Sequence, residues 1–178
     1  ILQMREKICF EEMDYYIVQN HRIFIDIAQS GCGSGCRYCY VKSKDEQQAL
    51  LSQQQVEQIC NHIRKHHECR GMIVSLCPNT EPLKSQESKA LVLYVLRFFL
   101  ACGSYLQIST KEKIPEEYLA EVNRIAKGRV YINVSVPFLK ESMRIEPYAG
   151  NITDRIETFC YIRKYESIHF CLYIKPFT

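Results

Sequence analysis

Apolar positions along the chain follow two alternating rhythms. Short β-branched runs, Ile23-Phe-Ile-Asp-Ile27, Gly71-Met-Ile-Val-Ser-Leu76, Tyr105 to Ser109, Arg129 to Val136 and Ile168 to Ile174, read as strands. Between them the spacing becomes helical. Val56, Ile59 and Ile63 recur on one face of a predicted helix over 52–66, and Ser52 with Gln55 three residues later forms a capping-box start. A second helix over 85–101 is rich in Leu, Val and Phe and stops at Gly103. Pro115 opens a third that ends near Gly128, and Asn151 with Asp154 starts a fourth that runs to about 165. Residues 1–22 show no clear period and are read as an N-terminal extension to a core domain over 23–178.

Strand and helix thus alternate about five times, which implies right-handed crossovers and a parallel sheet. The pattern leaves open whether that sheet closes as a barrel or stays open and doubly wound. In either case ligands bind where the loops leave the carboxyl ends of the strands. At those ends stand Cys32 to Cys39, then Cys77, Thr80 and Glu81, then Lys111, then Ser135.

Composition narrows the class without naming a partner. The 178 residues are 47% hydrophobic and 24% charged, the proportions of a globular domain able to bury a core. A net charge of +3, from 23 basic and 20 acidic residues, is too balanced to argue for nucleic acid or an anionic membrane. No apolar run reaches the roughly 18 residues needed to span a bilayer, and 1–22 does not read as a signal peptide. Ten cysteines in a chain this long, with only 7 Gly and 6 Pro, fit reduced thiols better than a disulfide scaffold. Cys60, Cys102, Cys160 and Cys171 are accordingly expected as core filler in a reducing cytoplasm. The chain does not open with Met and is expected to be a fragment of a longer one.

The stretch Cys32-Gly-Ser-Gly-Cys36-Arg-Tyr-Cys39 carries the strongest chemistry. Three thiolates spaced C-x3-C-x2-C can hold three corners of a four-iron cluster and leave one iron open for another ligand. The competing reading is a structural zinc site, which asks for a fourth ligand in paired spacing. His62, His66 and His67 lie far along on the first predicted helix, where a cation suits the helix C-terminus better than it suits ligation. Glu146 and Arg155 read first as a structural ion pair that orients the loop after the fourth strand.

Gly31-Cys32-Gly-Ser-Gly-Cys36-Arg-Tyr38-Cys39-Tyr40 resembles the signature of radical S-adenosylmethionine (SAM) enzymes, including the aromatic residue before the last cysteine. Within that superfamily the chain is most similar to the spore photoproduct lyase-like branch. Thr80-Glu-Pro-Leu-Lys-Ser-Gln-Glu87 resembles that branch's Thr-Asp-Pro segment, Ser109-Thr-Lys111 its Thr-Lys strand end, and Val134-Ser135 its strand-four serine. Glu146-Pro-Tyr-Ala-Gly through Arg155 resembles its Glu-Pro-Gly-Ala to Arg segment. Departures are Asp26-Ile-Ala-Gln29 before the first cysteine, and Glu81 where the branch has the shorter Asp.

The resemblance implies a partial (β/α) TIM-like barrel of five to six parallel strands with outer helices. It implies a [4Fe-4S] cluster on Cys32, Cys36 and Cys39, with SAM on the open iron and cleaved to a 5′-deoxyadenosyl radical that abstracts hydrogen from substrate. Tyr38 would shield the cluster, Lys111 would pair with the SAM carboxylate, Glu81 would accept from its amino group, and Thr80 and Ser135 would offer hydroxyls. Cys77 would stand near the branch's hydrogen-donor cysteine, though out of register with it. A flavodoxin or ferredoxin would supply the electron, and nucleic acid is the substrate class suggested by the branch. Two other readings keep the same trio: an electron-transfer or scaffold protein that cleaves no SAM, and a peptide-modifying maturase.

Overall fold

The computed structural model of the chain describes residues 9–10, 13–41, 45–137, 142–161 and 163–174. Strands β1 (Cys9–Phe10) and β2 (Met13–Asp14) form a small antiparallel pair. The strands β3 (Tyr16–Gln19) and β4 (Arg22–Ile25) follow, then β5 (Ala28–Ser30), which pairs with β6 (Ala49–Leu50). Helix α1 (Gln53–His66), β7 (Ile73–Leu76), α2 (Gln86–Ala101), β8 (Tyr105–Thr110), α3 (Glu116–Ala126) and β9 (Val130–Val136) alternate after that. The chain ends through α4 (Ser142–Ile145), α5 (Ile152–Glu157), a 3-10 turn (Thr158–Tyr161) and β10 (Ile168–Ile174).

One sheet of order β10-β9-β8-β7-β4-β3 carries the fold. Its five strands β4, β7, β8, β9 and β10 are parallel, as the alternating pattern predicts, and among the described residues the sheet does not close into a barrel. The sixth strand, β3, pairs antiparallel with β4 through a tight turn at Asn20, which takes a φ of 51°. It comes from the stretch read as an aperiodic extension, because four residues are too short to show a period.

Register divides the sheet into two unlike faces. Ile23, Ile25, Val74, Leu76, Leu106, Ile108, Val130, Ile132 and Val134 point to one side and are buried. Helices α1, α2 and α3 cover that side, with Val56, Ile59 and Ile63, Val92, Val95 and Phe99, and Leu119 and Val122 entering one continuous core. Each such fully buried side chain contributes about 1.5–3 kcal/mol of transfer free energy. The opposite face presents Arg22, Phe24, Ser75, Gln107, Ser109, Tyr131, Asn133 and Ser135, of which Ser75, Asn133 and Ser135 are buried, and α1, α2 and α3 lie on the other side.

The helix starts are chemically specified. Ser52 and Gln55 close the expected capping box on α1, and Ser85 with Ser88 makes a second one on α2. The helix expected over 151–165 is shorter: α5 ends at Glu157 and tightens into the 3-10 turn, where Thr, Phe and Tyr are weaker helix formers. Cys60 is core filler as expected, but Cys102 is only partly covered, and Cys160 and Cys171 are exposed. Cys160 lies on the tightened turn and Cys171 on the uncovered strand face, so neither reaches the core. None of the described cysteines is in a disulfide. Among the described residues no helix is long and apolar enough to cross a membrane.

Candidate functional site

The carboxyl ends of β4, β7, β8 and β9 share one rim, and the cysteine loop lies between β5 and β6 beside it. Glycine is required at two points of that loop. Gly31 takes a φ of +79°, and a Cβ there would sit 2.2 Å from the Gln47 carbonyl oxygen. Gly35 takes +61°, with the Tyr148 ring 2.6 Å from the same imagined atom. Backbone bonds then clamp the loop: the Arg37 N–H donates to Ile145 O at 2.9 Å, Tyr148 N–H to Ser34 O at 3.4 Å, and Cys39 N–H to Cys36 O at 3.0 Å.

Cys36 is buried, whereas Cys32 and Cys39 are partly exposed. Burial pushes the Cys36 thiol up to about 11, opposed by the Lys111 ammonium, and burial also raises Cys32. The Val41 N–H donates to Cys39 Sγ at 3.4 Å. Among the described residues no three His, Cys, Asp or Glu side chains converge as ligands of a single ion. Such convergence is what a mononuclear zinc site asks for. A cubane asks for less, since each thiolate binds a different iron, and three thiols on one glycine-hinged loop meet that demand.

Tyr38 does not pack freely over the loop. Its hydroxyl donates to Glu146, whose other oxygen takes Arg155 Nη1 at 2.6 Å with both side chains buried. Arg155 also donates to the carbonyls of Ser135 at 2.9 Å and Gly150 at 2.8 Å. Burial and then Glu146 push the Tyr38 phenol far above its ordinary value, so it stays a donor. The expected Glu146–Arg155 ion pair therefore exists, and it also ties the cysteine loop to the end of β9. Sequence spacing could not show this, because Tyr38 and Glu146 stand 108 residues apart.

Glu81 is buried inside the rim. Its carboxylate accepts from Thr110 Oγ1, from Lys111 N–H at 2.8 Å and from Leu83 N–H at 3.2 Å, while burial raises its pKa. It thereby joins the loop after β7 to the end of β8. Lys111 stands beside it, its carbonyl accepting from Gly150 N–H at 3.0 Å, and its charge is felt at Cys36 and Cys32. Lys84 closes the outer side, bonding Glu112 at 2.7 Å and the Tyr148 carbonyl at 2.5 Å.

The remaining expected residues form a separate corner at the ends of β4 and β7. Cys77 is buried in a left-handed conformation, φ 55°, and burial followed by the Asp26 charge raises its thiol strongly. The Asn79 amide donates to Asp26 Oδ2 at 3.0 Å, and the Thr80 N–H to Cys77 O at 3.4 Å. Burial lifts Asp26 to about 6. Neither Asp26, which the sequence marks only as a departure before the first cysteine, nor Asn79 is among the expected site residues.

No known protein-family profile matches the chain, and no curated protein does. Solved structures do. Spore photoproduct lyase complexed with dinucleoside spore photoproduct superposes with a TM-score of 0.66 over 84% of this chain, at 13% identity. A double mutant of spore photoproduct lyase with bound AdoMet and dinucleoside spore photoproduct gives 0.65 over 85%, at 14% identity. The chain spans 44% of the length of either structure. Over the superposed residues the chain shares the fold of that part of spore photoproduct lyase.

Proposed function

We propose that the chain is the core of a radical SAM enzyme. The observation that carries the reading is the glycine-hinged loop of Cys32, Cys36 and Cys39, held against the carboxyl rim of a parallel sheet of spore photoproduct lyase fold. A [4Fe-4S] cluster with SAM on its open iron would supply a one-electron cleavage to methionine and a 5′-deoxyadenosyl radical that takes hydrogen from substrate.

The chain's own residues set up that chemistry. Cys32, Cys36 and Cys39 would hold iron as thiolates, with Cys32 and Cys36 giving up protons that burial otherwise retains. Tyr38, its hydroxyl fixed by Glu146 and its side chain 40% exposed, would shield the loop only in part. Lys111 offers a cation to the SAM carboxylate, Ser135 at the end of β9 offers a hydroxyl, and Thr80 offers another from the corner it shares with Cys77. Glu81 holds the Lys111 backbone in place, with its remaining acceptor capacity available to an amino group. Cys77, kept as a neutral thiol, is the candidate hydrogen donor to a substrate radical. The complex of spore photoproduct lyase with dinucleoside spore photoproduct favours a nucleic-acid substrate here. Free thiols among the described residues support a reducing cytoplasm, in which a flavodoxin or ferredoxin would donate the electron.

The test is anaerobic reconstitution with iron and sulfide, then dithionite and SAM, with 5′-deoxyadenosine read by chromatography. Product that depends on all three cysteines is expected. A fully loaded cluster that yields none overturns the reading in favour of electron transfer. Crosslinking to oligonucleotides against peptides separates the substrate classes.

A further inference from the structure

The uncovered face of the sheet holds a second concavity, at the end opposite the cysteine loop. A cavity of about 530 Å³ is lined there by Arg22, Tyr105, Gln107, Tyr131 and Asn133 among others, and none of its lining residues is acidic. Arg22, Tyr105 and Tyr131 stand in the first two positions of β4, β8 and β9, at the amino ends of the strands. This volume suits a small ligand.

Arg22 is half-buried and has no carboxylate partner among the described residues. Its Nη1 donates to Ser75 Oγ at 2.7 Å and to Gln107 Oε1, and it lies 5.8 Å from the Phe24 ring centre. The Ser75 hydroxyl donates to the same Gln107 oxygen at 3.2 Å. With Oε1 taken twice, Gln107 is left with its amide N–H groups to offer, and Arg22 keeps Nε and Nη2. Tyr131 supplies a flat wall: its ring stacks on His169 with centroids 4.6 Å apart at 21°, yet stays 40% exposed.

A guanidinium partly removed from water without a counter-charge is costly, and its planar fork matches an oxyanion. An exposed, stiffened aromatic face a short way off suits a flat ring. We infer that this floor binds a flat ring bearing an oxyanion, the anion on Arg22 and Gln107 and the ring against Tyr131. A nucleotide and an aromatic carboxylate share that chemistry. The inference goes beyond the proposed function: it concerns the other end of the sheet and involves no cluster chemistry.

Calorimetric titration of the full chain with uridine monophosphate, uridine and benzoate tests it. Saturable binding of the monophosphate or of benzoate is expected, with uridine at least tenfold weaker than its monophosphate. Preference between the two anions identifies the source. Arg22→Met is expected to weaken the bound anion at least tenfold, and Arg22→Lys to restore part of the loss. Should Arg22→Met fail to fold, Tyr131→Ala, on an exposed ring, carries the same direction of effect. Absence of anion binding at low-millimolar concentration overturns the inference, as does an affinity left within twofold by a folded Arg22→Met or Tyr131→Ala protein. Because binding is read directly, a chain that cleaves no SAM still passes or fails this test.

Discussion

Asp26 shows how a single residue interrupts a strand and stores a pH dependence. It follows the last residue of β4, where its N–H donates to Tyr15 O at 2.9 Å and its carboxyl is held by Asn79 in a largely dry corner beside Cys77. Burial lifts its pKa from 3.8 to about 6. A carboxyl with a folded-state value above its unfolded one favours folding only while protonated. Its contribution is complete below the unfolded value and is lost as pH rises through about 6. Two pH units correspond to roughly 3 kcal/mol, an upper bound for a corner that water reaches in part. Asp26→Asn keeps the acceptor that Asn79 needs and removes the charge. Urea unfolding should find the variant more stable than the parent near neutral pH by about 1–3 kcal/mol, with the gap closing as pH falls toward 4. Parallel stability curves for the two proteins across that range would contradict the assignment.

The hairpin of β5 and β6 is the element that presents the three thiols, and its geometry depends on glycines of unequal strictness. Gly31 and Gly33 both lie at positive φ, +79° and +72°, yet a Cβ at Gly31 meets a backbone carbonyl at 2.2 Å whereas at Gly33 the nearest atom is 3.7 Å away. Gly33→Ala should therefore cost only the left-handed penalty, about 1–2 kcal/mol. Gly31→Ala must also displace the backbone at Gln47, and should cost more and lower the iron retained per chain after reconstitution. Equal losses of stability and of iron in the two variants would show that the contact to Gln47 does not fix the loop. The same contrast explains what could be read in advance. The cysteine spacing and its glycines are local, as are the apolar periods of β7 to β10 and α1 to α3, so they are legible in the sequence. The Tyr38–Glu146–Arg155–Ser135 chain and the Glu81 bridge to Lys111 join segments brought together only by the sheet. The residue types were on view, but their partners were not. Strand β3 was hidden for another reason: an antiparallel edge strand of four residues is specified by its turn and its neighbour rather than by its own pattern.

At the scale of the whole molecule, stability and chemistry are assigned to opposite faces of one sheet. The helix side carries an unbroken apolar surface under α1, α2 and α3, and the other side carries hydroxyls, amides, tyrosines and one arginine. Loss of a buried branched side chain leaves a cavity that the packed helices cannot fill, which costs about 2–5 kcal/mol for Ile→Ala. Loss of a polar group on the uncovered face leaves a site that water can enter, and costs about 1 kcal/mol for a hydrogen bond such as Asn133 to Ser109 at 3.1 Å. Ile108→Ala and Ile132→Ala should thus lower the unfolding free energy several-fold more than Ser109→Ala and Asn133→Ala, although the four residues are neighbours along β8 and β9. Chemical denaturation of the four variants measures this. Comparable losses on the two faces would mean that the uncovered side is also a packed core in solution, and would leave no open floor for a ligand at Arg22. A large asymmetry means that the face bearing Lys111 and Ser135 at its rim and Arg22 at its floor can change its side chains with little effect on the fold, while the helix-side core stays as it is.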